Sequence, residues 1–385
     1  MNKILTIYGT RPEAIKVAPV IKALEADDRF TSVAVSTGQH REMLDQVNGM
    51  FGITPDYDLA LMKQGQSLNE IVSRAVAGLD GIIAEEKPDA VIAQGDTSTA
   101  MAAAVAAFNR EIPVIHLEAG LRTGNIHSPF PEEANRRIIG QISDLHLAPT
   151  ETSKRNLVAE NFDPANIAVV GNTVIDALLT AAEWDTTFTD ERLNELAASD
   201  ARLIVVTTHR RENLDAMAHI GLAVNDLAQQ YLDVTFVLPL HLNPKVREAV
   251  LPEVDSVRNV IITDPLPYDQ FTKLMGRSDI VLTDSGGVQE EAPALGKPVI
   301  CMRENTERPE AVEAGTVQLV GTDRGNIVAS VSTLLDDASA YERMARAINP
   351  YGDGHAAQRS VAAIAQLLGV GERLPDFAAA AATDQ

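Results

Sequence analysis

The sequence predicts an α/β protein made of two domains, each with a parallel sheet covered by helices. Three observations lead to this fold class. Short apolar runs alternate with amphipathic segments of helical period along most of the chain, which is the pattern of repeated βαβ units. The length of 385 residues exceeds what one ordinary core holds. A polar amphipathic stretch, from about Asp176 to Ala201, interrupts the series and separates two halves of similar size.

The first half begins with the apolar run "KILTIYG", which predicts a strand that ends at Gly9. The next segment, "PEAIKVAPVIKALEA", has apolar residues at helical spacing and predicts a helix. Further strands are predicted between helical stretches at "TSVAVSTG", "DAVIAQG", "PVIHLEAG", "LHLAPT" and "IAVVGN". We assign residues 1–177 to this N-terminal domain and residues 178–200 to a helical connection.

The second half repeats the same alternation. Strands are predicted at "RLIVVTTH", "VTFVLPLH", "NVIITDP", "DIVLTDSGG", "KPVICM" and "TVQLVGT", and a final helix at "AAQRSVAAIAQLLG". We assign residues 201–365 to the C-terminal domain and residues 366–385 to a tail. Because the last residues, "FAAAAATDQ", have no periodicity, we expect them to be frayed.

Composition excludes several classes of protein. There are 32 Lys and Arg against 54 Asp and Glu, and the net charge of −22 argues against binding to nucleic acid or to a membrane surface. No run of 18 apolar residues and no signal-peptide pattern is present, so we expect a cytoplasmic protein. The single cysteine, Cys301, lies in an apolar run and is expected in the core, which leaves no intramolecular disulfide.

Polar clusters follow nearly every predicted strand. In the first domain they are "GTRPEAIK", "GDTST" and "HLEAGLRTG", and in the second domain "VVTTHRREN", "PLHLNP" and "TDSGGVQEE". The carboxyl ends of parallel strands lie at one edge of a sheet, where ligands of open α/β sheets bind. We therefore expect these side chains to line a cleft that the two sheets face.

Three carboxylates of the first domain are candidates for acid–base catalysis. Asp96 follows a strand and suits either proton transfer or the capping of the next helix. Glu118 favours a function, because no clear helix follows that it could cap. Glu132 follows Pro131, where an acid in the first turn of a helix would equally well stabilise the helix dipole.

Basic side chains follow the same strands. His209 opens "HRREN" and suits phosphate binding or protonation of a leaving group, or else a solvated turn. Arg11 and Lys16 flank the first helix start and together could hold a diphosphate, whereas Lys16 alone would suit a solvated helix face. No short metal-ligand spacing joins the other candidate histidines, so we predict no metal site; they are His116, His127, His146 and His241.

The segment "LTDSGGVQEEAPALGKP" combines a strand, a Ser-Gly-Gly turn and a helix start, whose free N–H groups suit phosphate. Asp284, Glu290 and Glu291 nevertheless surround this turn, although acids repel phosphate. Other nucleotide motifs are missing from the sequence. There is no G-x-G-x-x-G after the first strand, no P-loop, and no Tyr-x-x-x-Lys pair as expected in a nicotinamide-dependent sugar epimerase.

Eleven motifs, running in order from about Lys3 to Arg359, resemble those of the non-hydrolysing UDP-N-acetylglucosamine 2-epimerases. They are "GTRPEAIKVAP", "TGQHREMLDQV", "GDTST", "HLEAGLRTG", "SPFPEEANRR", "GNTVIDAL", "HRREN", "HLNP", "LTDSGGVQEEAPALGKPV", "TERPEAVEAGT" and "NPYGDG". The resemblance implies a fold like that of the GT-B glycosyltransferases, with two Rossmann-like domains and a last helix that crosses back to the first. It also implies a homodimer.

The resemblance further implies interconversion of UDP-GlcNAc and UDP-ManNAc without NAD or any other cofactor and without metal, to supply ManNAc units for cell-surface polysaccharide. UDP is eliminated across C1–C2 to give 2-acetamidoglucal, and it adds back after C2 is protonated on the other face. By this resemblance, Asp96 and Glu132 serve proton transfer at C2, Glu118 orients the sugar or shares that role, and His209 with Arg11 stabilises departing UDP.

The same resemblance implies a UDP-binding set in both domains. Ser285, Gly286 and Gly287 would hold phosphate, and Glu291 would bind the ribose hydroxyls. Lys16 and Arg308 would bind the diphosphate. Phe271 would lie near uracil, although "YDQFTKLM" also suits a Phe in the core.

Two stretches depart from the family pattern. Members that UDP-GlcNAc activates have a second nucleotide-sugar site with "QHRQ" and "KERQ", where this chain has "QHRE" and "KQGQ". Activation by substrate therefore stays open, although much of that region is retained: Gln39, His40, Glu133, Arg136, Arg137, Arg211 and His241. "RENTERPE" replaces the usual "RDTTERPE", and Arg308 is kept.

Three alternatives remain at this point: a GT-B glycosyltransferase, a hydrolysing UDP-GlcNAc 2-epimerase and a non-catalytic nucleotide-sugar sensor. A glycosyltransferase would not need three carboxylates near C2. The set of Asp96, Glu118, Glu132 and His209 argues against a sensor, and the products distinguish the hydrolysing enzyme.

Overall fold

The computed structural model describes residues 1–38, 41–61, 63 and 65–379, and for residues 41–43, 211, 212 and 215 it describes the backbone alone. The chain divides into two compact units. The first unit combines Met1–Ala177 with Tyr351–Ala378, and the second contains Leu178–Pro350. Each unit is a parallel sheet with helices, which confirms the predicted α/β fold class.

The first unit begins with a strand and a helix whose start is fixed by the sequence T-x-x-E. Thr10 accepts a hydrogen bond from the N–H of Glu13, and the Glu13 side chain accepts one from the N–H of Thr10, which is a capping box. The strands are β1 (Asn2–Tyr8), β2 (Phe30–Ser36), β3 (Tyr57–Asp58), β4 (Ala90–Gln94), β5 (Val114–Leu117), β6 (Leu145–Ala148) and β7 (Ile167–Val169). The helices are α1 (Arg11–Glu25), α2 (Arg41–Phe51), α3 (Leu68–Glu86), α4 (Ser98–Phe108), α5 (Glu132–Gln141), α6 (Glu151–Ala159), α7 (Thr173–Ala182, which runs on into the second unit) and the C-terminal helix (Ala356–Leu367).

The second unit repeats the alternation of strands and helices. Its strands are β8 (Arg202–Thr207), β9 (Val234–Pro239), β10 (Val260–Thr263), β11 (Ile280–Thr283), β12 (Val299–Cys301) and β13 (Val317–Leu319). Its helices are α8 (Glu191–Ala197), α9 (Met217–Gln230), α10 (Pro244–Val254), α11 (Tyr268–Arg277), α12 (Gly286–Ala294), α13 (Pro309–Glu313), α14 (Arg324–Asp336) and α15 (Ala338–Ala345), so that the C-terminal helix is α16. Short 3₁₀ segments cover Pro164–Asn166 and Arg211–Ala216.

Both sheets have the strand order of a doubly wound fold. Over the described residues, the first sheet runs β3-β2-β1-β4-β5-β6-β7 and the second β10-β9-β8-β11-β12-β13. The order reverses between β1 and β4 in one sheet and between β8 and β11 in the other. Ligands of such sheets bind at the carboxyl ends of the strands at this reversal, so the loops after these four strands are the places to look for a site.

Helices bury apolar faces against both sheets. In the first unit, Leu5, Val35 and Val91 of the sheet pack with α3 and α4, including Leu79 and Ala103. In the second unit, the core lies between the sheet and α9, α10 and α14. Cys301 is fully buried in β12, as predicted.

The connection after α7 contains α8 and packs its apolar side chains: Phe188, Leu193 and Leu196 are buried in a core cluster of the second unit. One expectation about the end of the chain needs correction. The final segment is not frayed at Phe377, which is 8% exposed and whose N–H donates to the carbonyl of Val169 at 2.6 Å. Residues 380–385 lie outside the described part of the chain.

The two-residue strand β3 was not predicted, because Tyr57–Asp58 contains no apolar run. It pairs with the end of β2 at the edge of the sheet. In the described residues, no helix is long and apolar enough to cross a membrane.

Candidate active site

Glu118 lies directly after β5 in a strained turn of the first unit. Its φ of +66° falls in the left-handed region, which a non-glycine residue adopts at a cost. One carboxylate oxygen lies 2.5 Å from Nζ of Lys16, and the other accepts a hydrogen bond of 2.7 Å from Nε2 of Gln94. The neighbouring strands β4 and β5 thus bring Glu118 to the loop that carries Asp96. No helix begins at Glu118, in agreement with the sequence prediction.

Asp96 follows β4 and does not cap the next helix. Thr97 is the N-cap of α4, and its hydroxyl accepts the N–H of Ala100. The Asp96 carboxylate is therefore available to Arg136 of α5, whose Nε and Nη2 lie 2.9 and 2.6 Å from Oδ2. Asn135 also donates to the carbonyl of Asp96 at 2.8 Å, so α5 is fixed against this loop by two adjacent side chains.

Glu132 is the first residue of α5, in the same turn of helix that leads to Asn135 and Arg136. Pro131 is the N-cap and makes no side-chain capping bond. One carboxylate oxygen of Glu132 is buried and has no hydrogen-bond partner among the described residues. Buried polar groups are normally paired, so this oxygen is a candidate to contact a ligand rather than a structural cap.

Glu13 is a buried residue that the sequence analysis did not select. It accepts hydrogen bonds of 2.7 Å from the N–H groups of Gly9 and Thr10, and one of 2.5 Å from the hydroxyl of Thr97. Burial raises the pKa of Glu13, although these hydrogen bonds oppose that effect. Glu13 therefore connects the loop after β1 to the loop after β4. The T-x-x-E spacing in "GTRPEA" was the signal that could have identified it.

The other basic candidates of the first unit have separate positions. Arg11 is half-buried at the start of α1 and forms no ion pair with the described residues. His116 and His146 are core residues: burial lowers the pKa of His116 to about 3 and that of His146 to about 4. His127 lies exposed in the segment before α5. No group of three His, Cys, Asp or Glu that could hold a metal occurs in the described part of the chain.

His209 follows β8 in the second unit and contacts Asp284, which follows β11. Its Nδ1 lies 3.2 Å from Oδ1 of Asp284, whose side chain is fully buried. Burial alone would raise the pKa of Asp284, but hydrogen bonds from the His209 side chain and the Arg210 N–H lower it below its ordinary value. The His209 ring also stacks on His241, with centroids 5.9 Å apart. Asp284 is thus the partner of His209, not a group that faces the anion site.

The start of α12 is a cationic site in the second unit. Ser285 is the N-cap and uses no side-chain capping bond. A Cβ on Gly286 would lie 3.2 Å from Nη2 of Arg210, so glycine leaves room for this guanidinium at the helix start. The Arg308 guanidinium lies near the same position, with Cζ 3.9 Å from where that Cβ would be. Free N–H groups at a helix start together with two arginines are typical of a phosphate site.

The acids of α12 have different environments. The buried Glu290 pairs with Nε of Arg308. Its negative charge is thus neutralised by an arginine and does not oppose phosphate binding. Glu291 is half-buried, and its Oε1 would lie 3.8 Å from a Cβ on Gly287. Phe271 is partly buried against the core cluster that contains Leu274 and Phe188.

Glu307, which precedes Arg308, is surrounded by three arginines. Its Oε2 lies 3.5 Å from Arg303, 3.8 Å from Arg308 and 3.9 Å from Arg210. Partial burial would raise the pKa of Glu307, but these cations lower it overall. The sequence analysis did not select this residue, because Arg210 reaches it from a distant segment of the chain, although Arg303 and Arg308 are close to it in sequence.

The residues considered for a second nucleotide-sugar site are partly outside the described structure. Gln39, His40 and the side chain of Arg211 are not described. Glu133 is buried and accepts hydrogen bonds from the N–H groups of Thr123 and Gly124, and it pairs with Arg136 and Arg137. Burial would raise the pKa of Glu133, but these partners lower it. His241 is exposed, and its Nδ1 accepts the N–H of Asn243.

The first parallel α/β unit carries carboxylates at the loops after its strands, and the second carries arginines at a helix start. This arrangement is typical of enzymes that act on phosphorylated ligands. Comparison with known proteins gives the family. The model of the UDP-N-acetylglucosamine 2-epimerase family matches residues 22–365, and the chain belongs to this family.

Individual relatives extend over almost the whole chain. The UDP-N-acetylglucosamine 2-epimerase of Escherichia coli K12 is 51% identical over 369 residues, which are 94% of this chain and 98% of that protein. The crystal structure of the Neisseria meningitidis UDP-GlcNAc 2-epimerase bound to UDP-GlcNAc is 48% identical, with a TM-score of 0.84 over 94% of this chain and 100% of that one. The Methanocaldococcus jannaschii UDP-GlcNAc 2-epimerase in complex with UDP-GlcNAc and UDP is 32% identical, with a TM-score of 0.74 over 96% of this chain and 100% of that one.

Proposed function

We propose that this protein interconverts UDP-GlcNAc and UDP-ManNAc by eliminating UDP across C1–C2 and adding it back. The observation that carries this proposal is that three carboxylates, in the loops after β4 and β5 and at the start of α5, have different surroundings. Glu118 is paired with Lys16 and Asp96 with Arg136, whereas Glu132 has a buried oxygen without a partner in the described residues. Inversion at C2 needs one group that removes a proton and another that returns it from the opposite face.

The reaction assigns a task to each carboxylate. Asp96 and Glu132 exchange the proton at C2, one on each face of the sugar, and Glu118 orients the sugar or shares that task. When the C2–H bond breaks, its electron pair forms the C1–C2 double bond and the C1–O bond breaks with its electrons on UDP. In the return step UDP forms the C1–O bond again as C2 takes a proton on the other face.

Cationic side chains bind the nucleotide half of the ligand in this proposal. Arg308, with Ser285, Gly286 and Gly287 at the start of α12, binds the diphosphate, and Arg210 is added to this set because it reaches the same helix start. Lys16 also binds the diphosphate, and His209 with Arg11 stabilises departing UDP. Glu291 binds ribose, and Phe271 lies near uracil. The short, charge-assisted contacts that arginine makes with phosphate suit this task.

The assembly and the pathway follow from the family in the same proposal. We expect a homodimer, and we expect the product to supply ManNAc units for a cell-surface polysaccharide. Light scattering on the purified protein measures the first, and a monomer at micromolar concentration would contradict it.

Incubation with UDP-GlcNAc in deuterated water, with a chelator and without NAD, tests the reaction. NMR should show UDP-ManNAc as the minor partner of an equilibrium and deuterium at C2 of both sugars. Epimerisation without deuterium would exclude the elimination. Free ManNAc would indicate a hydrolysing enzyme, and transfer to an added acceptor would indicate a glycosyltransferase.

A further inference from the structure

The buried carboxylate of Asp284 is directed at the loop that carries His209. Its oxygens accept the N–H groups of His209 at 3.0 and 3.1 Å and of Arg210 at 3.0 Å. They also accept the Thr208 hydroxyl at 2.9 Å and, more distantly, the Asn213 amide at 3.4 Å. Since backbone and amide N–H groups only donate, Asp284 acts throughout as an acceptor.

The two strands behind these loops fix the position of Asp284. β8 and β11 are adjacent, and Thr207 pairs in register with Thr283. The hydroxyls of these two residues lie 2.6 Å apart, and the N–H of Asp284 donates to the carbonyl of Thr207. This pairing holds the residues that follow each strand side by side at the reversal of the strand order.

We propose that Asp284 is a positioning residue for His209, which holds the imidazole with a proton on Nδ1 and presents Nε2 to the diphosphate of the ligand. The identity of the ligand rests on the function proposed above, but the orientation of the ring does not. The 3.2 Å contact to a group that accepts requires Nδ1 to donate. Nε2 makes no hydrogen bond with the described residues, and the ring is 40% exposed.

Because of this geometry, the protonation state of the His209 ring decides whether Nε2 repels an anion or donates a hydrogen bond to it. A neutral ring with its proton on Nδ1 offers a lone pair at Nε2, which repels a phosphate oxygen. The imidazolium ion instead offers an N–H there. Among the described residues, Asp284 and His241 are the titratable groups in contact with the ring, and the neighbouring Arg210 donates its backbone N–H to the same carboxylate.

A purely structural role for Asp284 is the competing explanation, since most of its hydrogen bonds hold the backbone of the loop. The two explanations differ in the imidazole itself. NMR of the unmodified, ligand-free protein labelled with ¹⁵N-histidine measures which ring nitrogen carries the proton, and loss of a signal in the His209→Asn variant assigns it. We expect the neutral ring of His209 to be protonated on Nδ1. A ring protonated mainly on Nε2 would overturn the proposal.

Substitution of Asp284 gives the second measurement. Asp279 is a matched control, because it precedes β11 and its carboxylate accepts the N–H of Leu203 at 2.7 Å at the opposite end of the same two strands. We expect Asp284→Asn to lower kcat about 100-fold and to allow both ring tautomers. Asp279→Asn should leave kcat and the tautomer unchanged. Equal losses in the two variants, or wild-type kcat in Asp284→Asn, would contradict the proposal.

The ligand-free NMR measurement stands even if Asp284→Asn does not fold. It also separates this proposal from the proposed function. A protein that fails to place deuterium at C2 but protonates His209 on Nδ1 would contradict the function alone, whereas epimerisation with the other tautomer would contradict the positioning role alone.

Discussion

The carboxylates of Asp96 and Glu132 differ at the level of single contacts. Asp96 is held by Arg136, whereas Glu132 has one buried oxygen that nothing in the described residues satisfies. Loss of either carboxylate should remove proton transfer at C2 but leave the nucleotide contacts intact. On the proposed function, we therefore expect the two residues to act in the chemical step rather than in binding.

We expect Asp96→Asn to lower kcat at least about 100-fold, because the amide cannot transfer the proton. The affinity for UDP should stay within about threefold of wild type, because proton transfer at C2 takes no part in binding the nucleotide. Steady-state kinetics and calorimetry measure the two quantities. Asp80→Asn is the control, because Asp80 is an exposed acid that is also paired with an arginine, Arg110. A variant of Asp96 with wild-type kcat would remove it from the reaction.

Glu307 supports a second prediction at this scale. Its carboxylate neutralises part of the charge of three arginines, two of which, Arg210 and Arg308, lie near the start of α12. Glu307→Gln should raise the affinity for UDP about fivefold, because a partly exposed charge at this distance contributes about 1 kcal/mol. Calorimetry with UDP measures the change, and Glu313→Gln, at an exposed acid of α13, should have no effect. Weaker binding in Glu307→Gln would show that the carboxylate supports the site.

At the scale of elements, the start of α16 depends on Asp176 of α7. The carboxylate accepts the N–H groups of Ala356 at 3.2 Å and Ala357 at 2.8 Å, where the helix dipole favours a negative charge. Burial nevertheless raises the pKa of Asp176 to about 6, although these hydrogen bonds oppose it. One buried side chain thus holds a helix that is 180 residues away in the sequence.

The sign of the pH effect follows from that raised pKa. The folded protein binds the proton of Asp176 more tightly than the unfolded chain, so this group favours folding at low pH and the contribution is lost as pH rises through about 6. The melting temperature of wild type minus that of Asp176→Asn should therefore fall between pH 4.5 and pH 7. Calorimetry at the two pH values measures it, and a constant or rising difference would contradict the assignment.

At the scale of the whole molecule, the C-terminal tail packs along the edge of the sheet in the first unit. Asp376 pairs with Lys154 at 2.8 Å, Arg373 donates to the carbonyl of Ile167, and Arg359 lies over the Phe377 ring at 5.4 Å. These contacts cover β7, the edge strand of the sheet, which would otherwise expose unpaired backbone groups.

Truncation after Gly371 should therefore lower the unfolding free energy by about 2 kcal/mol, mainly through loss of the buried Phe377 side chain. Truncation after Ala379 removes only residues outside the described structure and serves as the matched control. Thermal unfolding measures both. Equal melting temperatures would show that the tail contributes nothing to stability.

The strands and the acids that follow them could be predicted from the sequence because apolar runs and the residues at their ends are local features. The side chains with which these residues pair could not be predicted. Thr97 rather than Asp96 caps α4, Glu290 pairs with Arg308, and Asp284 binds His209. The last pairing depends on the adjacency of β8 and β11, which lie more than 70 residues apart. Side chains that meet through sheet order leave no spacing in the sequence.

The return of α16 to the first unit also has a consequence for how the protein is made. When a ribosome has added Pro350, all of Leu178–Pro350 in the second unit has been synthesised, whereas the first unit still lacks Tyr351–Ala378. Domains fold during synthesis as their residues emerge, and α16 buries most of one face, including Ala357, Val361 and Ile364. The unit that is begun first is therefore the unit that is completed last.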